Sequence, residues 1–361
     1  MRVLQLIDSL DAGGAERMAV NLANTLCKYE GKGFLCTTRK EGPLKEELDE
    51  NVKFILSQKG SVLDLKAYRR LLNFIKVNKI IVIHAHTTSI YTGYIIKMIY
   101  PKVKLVWHDH YGLSEFVDER PQKTLKLLSR SLSGIISCNI TLRDWALKSL
   151  YCKNVIYLPN FIIGKKKEKR KTKIYGQPEK RIVCLANLRA QKNHLALIEA
   201  FHKLSANYKD WTLHFVGKDY KDQYSDTVKR TITEHNLSKK IFIYDSRPDV
   251  YAILKQMDIG VLYSKSEGLP LALLEYGMSG LPVITTDVGL CREVIGEQGF
   301  IIENMSKEGS DHLKSYLDNP DLRKKHGNAF KENIEKRYGA TASWEVLEPF
   351  YRRIDLDIGH A

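Results

Sequence analysis

The 361-residue sequence has little of what marks several protein classes. Its six cysteines, at 27, 36, 138, 152, 184 and 291, form no CxxC pair and are too dilute for a disulfide framework, so they fit a reducing compartment. No apolar run reaches the ~18–20 residues of a membrane-spanning helix. The opening MRVLQLIDSL carries an acid straight after a short apolar run and lacks a small-residue cleavage site, so it reads as a first strand and not a secretory signal. No helix-turn-helix, RNP or zinc-finger pattern is present to give the net charge of +15 a nucleic-acid role. No Asp-x-Asp-like pair stands at an expected strand end, so no metal is expected to assist chemistry there.

What is present is globular in composition, 43% apolar and 27% charged, and long enough for two domains. The charge is unevenly placed. Residues 1–160 hold 24 Lys/Arg against 15 Asp/Glu, residues 161–176 hold seven against one, and residues 177–361 hold 26 of each. The excess therefore lies in the first half and in one short segment around 164–173, a charge block that reads as an exposed connection.

Short β-branched runs alternate with amphipathic stretches. Strands are expected at 2–7, 33–37, 53–56, 80–84, 104–108, 134–138 and 155–158. The same grammar restarts at 181–186, 212–216, 240–244, 258–263, 282–285 and 300–302. Several are continuous apolar runs, as parallel strands buried on both faces require. Residues 64–77 read as a helix with Leu65, Tyr68, Leu71, Leu72 and Ile75 on one face. The expectation is two doubly wound α/β domains, 1–163 and 179–340, joined by a basic linker at 164–178. Residues 341–361 form a terminal helix (Trp344, Leu347, Phe350, Tyr351) crossing back to the first domain. In such folds ligands bind at the carboxyl ends of strands, here in a cleft between the domains.

Two strand ends carry chemistry. After the first strand, Gly13 and Gly14 precede a helix expected to start near Ala15, and free amides at a helix start attract anions. The densest region is SEGLPLALLE at 266–275. Pro270 fits a first helical position and Gly280 the helix stop, which leaves Glu267 in the loop and Glu275 within the helix. Amides of Gly268 and Leu269 offer a phosphate seat, with carboxylates on either side free to accept from hydroxyls.

Glu267 and Glu275 in this spacing reproduce the E-x7-E element of the group 1 (family 4) retaining glycosyltransferases of the two-Rossmann GT-B fold. Six further stretches resemble that family in order: GGAER at 13–17, the histidine strand ends IHAH (83–86) and VWHDH (106–110), LANLRAQKNH (185–194), FVG (215–217) and PVITTDVG (282–289). The resemblance implies that Glu275 binds the ribose of a nucleotide-sugar donor and Glu267 holds the transferred sugar. Ser266, Gly268, Leu269 and Pro270 would line the donor's sugar and phosphates, with Asn187 and Gly217 beside them. Lys192 and Arg189 would neutralise the leaving diphosphate, Gly13 and Gly14 would close over it, and His110 would stand beside the reacting centre. Asn187 stands where the family usually has arginine, with Arg189 as the shifted source of charge, and Gly289-Leu290 replaces a double glycine.

The expected function is metal-independent, cofactor-free retaining transfer of a sugar from a nucleotide-diphosphate sugar to a hydroxyl, in the cytoplasm. A lipid-linked glycan is the expected acceptor, because the basic excess belongs to the acceptor side. The helices at 64–79 and 122–132 are the faces for weak contact with an anionic membrane, and nucleic acid is not an expected partner. Zinc is possible by type at His84, His86, His108 and His110, but no cysteine or HExxH partner accompanies them. The alternatives are an epimerase or a sugar phosphorylase on the same fold, and a basic RNA- or lipid-binding protein.

Overall fold

The computed structural model describes residues 1–11, 13–62, 64–111, 114–164, 170–303 and 305–356. The chain forms two compact units, Met1–Ile163 together with the helix Ala340–Leu356, and Gly164–Gly339.

The first unit is built on β1 (Val3–Ile7), β2 (Gly33–Thr37), β3 (Val52–Leu56), β4 (Val82–His86), β5 (Lys104–Asp109), β6 (Gly134–Ser137) and β7 (Val155–Tyr157). They form one parallel sheet in the order β3-β2-β1-β4-β5-β6-β7. Alternation sends Leu4, Leu6, Ile83, Ala85, Leu105 and Trp107 into one core, beside Tyr68, Leu71 and Ile75 of the helix Leu65–Val77. On the opposite face Val3, Val82, Val106 and Ile136 meet Met18, Leu22 and Leu26 of the helix Gly14–Glu30, and Trp344, Leu347, Phe350 and Tyr351 of Ala340–Leu356. A side chain at Gly134 would place its Cβ 2.5 Å from the Phe350 ring, so the glycine makes room for that helix.

The second unit holds β8 (Arg181–Leu185), β9 (Thr212–Val216), β10 (Ile241–Tyr244), β11 (Ile259–Leu262), β12 (Val283–Thr286) and β13 (Phe300–Ile302). Their parallel order is β10-β9-β8-β11-β12-β13. In each sheet the order reverses beside the first strand, the point at which open α/β sheets expose strand ends to ligands.

Three expectations need correcting. Leu65 does not face the core: Asp64 caps the helix by accepting from the Ala67 amide, which turns Leu65 out to 77% exposure. The fourth strand runs two residues later than expected, because Ile80 is still bonded to the Ile75 carbonyl of the preceding helix end. The helix after β1 starts at Gly14, one residue before Ala15. Of the basic connection, 165–169 lie outside the described residues. Beyond them the chain is pinned to the second unit, the amides of Lys171 and Thr172 each donating to Asp249 at 2.7 Å.

Candidate active site

The acidic motif lies where β8 and β11 end side by side. The loop after β11 runs into the helix Leu271–Ser279, which ends at Gly280 in the left-handed conformation (φ 75°). Pro270 is the residue before that helix, with extended backbone (ψ 111°), and not its first turn: proline's fixed φ suits both positions, and ψ decides.

Glu267 is fixed from two sides. Lys192 Nζ lies 2.5 Å from its Oε1, and Ser264 Oγ donates to the same oxygen at 2.6 Å. The Glu267 side chain is only 8% exposed and that of Lys192 23%, so the pair is poorly screened by water. Lys192 ends a short 3-10 turn, Ala190–Lys192, after β8. Gln191 bonds that turn to the loop twice: its side-chain amide donates to the Ser266 carbonyl and its own carbonyl accepts from the Lys265 amide, both at 2.8 Å. Thr286, at the end of β12, donates to the Ser264 carbonyl at 2.5 Å.

Gly289 explains the family's glycine here. Its φ is +55°, and a Cβ would stand 2.1 Å from the Glu267 carbonyl oxygen, so only glycine lets this turn press against the loop. Leu290 then donates its amide to the Gly268 carbonyl at 3.0 Å, doing with its backbone what a second glycine is not needed for. By contrast, a Cβ on Gly268 meets nothing within 4 Å. The space beyond Gly268 is open for a ligand. Leu269 and Glu275 are half-buried, and Ser266 is exposed.

Asn187 and Gly217 form a second fixed corner. Gly217 (φ +152°) would bring a Cβ to 2.3 Å from the Ala186 carbonyl, and the Asn187 side chain accepts from the Lys218 amide at 2.8 Å. Asn187 thus shapes the loop after β9. Arg189 is engaged by Tyr220, donating to its hydroxyl at 2.6 Å with the guanidinium 4.6 Å from the ring centre. It does not join Lys192 at Glu267. His194 opens the next helix, and burial pulls its ring down to about 4, so it stays neutral at pH 7. An open depression of about 570 Å³ adjoins the site, lined by Ser264, Lys265, Thr286, Asp287 and Glu303 among others.

Gly13 and Gly14 lie exposed in the first unit, at the start of the helix Gly14–Glu30, whose N-cap has no side-chain partner. His110 follows β5, half-buried, with Nε2 3.0 Å from His86 Nδ1. It lines a cavity of about 410 Å³ with Tyr91, Trp107, Asp109 and Arg120. Arg120 reaches the buried Asp109 carboxylate at 2.6 Å, its guanidinium 4.4 Å from the Tyr111 ring centre and 5.1 Å from those of Trp107 and Trp145.

Sequence reading passed over Gln191, Ser264 and Tyr276. Tyr276 lies fully buried beneath Gly260 and accepts from the Leu185 amide at 2.6 Å. Ser264 reaches Glu267 within one loop, but the roles of Gln191 and Tyr276 depend on β8 and β11 being neighbours. That adjacency is a property of the sheet order, not of any local run.

Two parallel-sheet α/β units with this strand-end geometry define a glycosyltransferase of GT-B fold. The profile of the family described as Glycosyl transferases group 1 matches residues 164–336, and that of Glycosyltransferase Family 4 matches 12–162, so the chain belongs to the group 1, family 4-like glycosyltransferases. It is 28% identical over 73% of its length, and 74% of the relative's, to the Escherichia coli UDP-Gal:alpha-D-GlcNAc-diphosphoundecaprenol alpha-1,3-galactosyltransferase. To the amylovoran biosynthesis glycosyltransferase AmsD of Erwinia amylovora it is 21% identical, over 92% and 94% of the two chains. Among solved structures, Anabaena HepE in complex with UDP-glucose superposes with a TM-score of 0.73 at 17% identity, over 98% of this chain and 100% of that one. The chain is therefore a glycosyltransferase of the hexosyltransferase type. Among the described residues no helix is long and apolar enough to cross a membrane.

Proposed function

We propose that the protein transfers a sugar from a nucleotide-diphosphate sugar to the hydroxyl of a lipid-linked glycan, with retention and without a metal at the diphosphate. The observation that carries the reading is Glu267, held by Lys192 and Ser264 at the mouth of a helix whose entry at Gly268 is open. The diphosphate takes the amides of Gly268 and Leu269 and the positive end of the helix Leu271–Ser279. Glu275, in the middle of that helix, accepts from the ribose hydroxyls. Lys192 answers Glu267 before the donor arrives and the departing diphosphate afterwards, the place where preorganised charge contributes most to rate. Arg189 adds charge at the rim, Gly13 and Gly14 supply further amides, and His110 orients the sugar or the acceptor.

The acceptor class is supported by the relative acting on a diphosphoundecaprenol-linked sugar and by the basic first half of the chain. Val62 and Leu65 are exposed beside Lys66 and Arg69, and Leu127 beside Lys123 and Lys126. That mixture suits peripheral contact with the anionic cytoplasmic leaflet, at about 1 kcal/mol per basic residue close to the surface.

The test is a thermal-shift screen across UDP-, GDP- and ADP-sugars, followed by turnover with the stabilising donor while Mg2+ and Mn2+ are withheld. One donor class should raise the midpoint, by about 2.7 kcal/mol equivalent at a hundredfold excess over Kd, and Glu275→Ala should abolish the shift. A shift that survives Glu275→Ala, or turnover that needs added Mg2+, contradicts the proposal.

A further inference from the structure

Four imidazoles crowd one patch of the first sheet, and the proposed transfer uses only the outermost, His110. The crowding follows from register: His84 and His86 alternate along β4, His108 and His110 follow along β5, and His86 lies directly beside His108. The His84 ring is 4.7 Å from His86 and 5.2 Å from His108, which is 3.9 Å from His110. His84, His86 and His108 are fully buried.

Their hydrogen bonding is incomplete. His86 spans His110 and Gln5, its Nε2 lying 2.8 Å from Gln5 Oε1, and His84 Nδ1 lies 2.6 Å from the Tyr351 hydroxyl. His84 Nε2 and both nitrogens of His108 have no partner among the described residues. A buried polar atom without a partner costs about 1–3 kcal/mol, and native interiors hold only a few per hundred residues. Three of them meet here. One ring nitrogen from each of His84, His86 and His108 lies within 4.8 Å of the other two. Hard cations such as Mg2+ and Ca2+ take oxygen ligands, whereas an all-imidazole set suits Zn2+, Co2+, Ni2+ or Cu2+.

We propose that His84, His86 and His108 bind one divalent transition-metal ion of the zinc class, as a structural site separate from the donor-binding residues. Zinc–nitrogen bonds of about 2.0–2.1 Å set ligand nitrogens about 3.4 Å apart, so binding draws the three rings together by roughly 1 Å. Tyr351 is a positioning group: when its oxygen accepts from His84 Nδ1–H, the Nε2 lone pair is free for the ion. Because Tyr351 belongs to the helix Ala340–Leu356, the ion would also fasten that helix to the sheet.

The full chain, stripped with a chelator and dialysed, is titrated with Zn2+ or Co2+ alone. The expected result is one equivalent bound, a raised melting midpoint, and the cobalt absorption of a tetrahedral nitrogen site. His84→Phe and His108→Phe should each abolish uptake, and Tyr351→Phe should weaken it about tenfold. His235→Ala, at the stacked His202–His235 pair of the second unit, should leave it unchanged. In the unaltered protein loaded with Cu2+, electron paramagnetic resonance counts the nitrogen ligands, which guards against a variant that does not fold. Absence of binding, fewer than three nitrogens, or uptake that depends on His235 overturns the proposal. None of these readouts uses a sugar donor, so they stand or fall apart from the transfer reaction.

Discussion

The two units follow one strand–helix grammar and close it differently. The second is a continuous stretch, Gly164–Gly339, and its polar strand ends are tied to one another: Lys192 to Glu267, Gln191 to the loop after β11, Asn187 to the loop after β9. The first takes its last helix from residues 340–356, and its buried imidazoles at the ends of β4 and β5 are only partly bonded. A site whose charges are paired in advance is ready for a ligand of known charge. A site with buried lone pairs left over is ready for a ligand that the protein does not supply.

The sharpest way to break the comparison is Phe350→Ala. Phe350 is fully buried against Gly134, and truncating such a ring costs about 3–5 kcal/mol. Calorimetry should show the first unit melting earlier, with the second unit's transition and nucleotide binding unchanged. A single joint transition would show that the units do not melt separately. Next comes Glu267→Gln, which keeps an oxygen to accept from Ser264 and is expected to lower turnover about 10²–10³-fold by removing the charge at the reacting sugar. Steady-state rates with a saturating donor check it.

Gly289→Ala probes the corner beneath Glu267. Left-handed backbone and a 2.1 Å approach to the Glu267 carbonyl should cost about 1–3 kcal/mol in urea unfolding, with a loss of donor affinity. The effect that is smallest at neutral pH, and grows only on acidification, concerns a buried histidine. His214 is buried between Thr212 and Tyr244, and burial holds it down to about 3. It is neutral in the folded state, whereas the unfolded chain takes up its proton below about 6.5. Its share of stability is complete above that pH and is lost as pH falls toward 3, at about 1.4 kcal/mol per pH unit. Urea unfolding followed by the fluorescence of Trp211 should lose one proton's worth of that slope in His214→Phe.

Much of this was legible in the residues. Continuous apolar runs such as 212–216 and 300–302 are strands with the expected bounds, because both faces of those sheets are covered. The Glu267–Glu275 spacing, Pro270 and Gly280 mark the loop and the helix that follows it. Leu65 fits the helical period as a core position, yet its place beside the Asp64 cap turns it outward. The Gln191 contact has no local signal because it joins residues 75 apart through the adjacency of β8 and β11, whereas Ser264 reaches Glu267 within one loop. The two His-x-His pairs are visible in the sequence, but only the pairing of β4 with β5 sets His86 beside His108.

The helix Ala340–Leu356 also sets an order of events during synthesis. The first sheet leaves the ribosome early, yet one of its faces lacks Trp344, Leu347, Phe350 and Tyr351 until the whole second unit has been made. At about 5–20 residues per second, the apolar strip around Val3, Val82 and Val106 stays uncovered for roughly 10–35 s. The second unit, a continuous stretch of chain, can fold during that interval. The nascent first unit therefore carries an apolar face that residues 344–351 cover only after the second unit has been made.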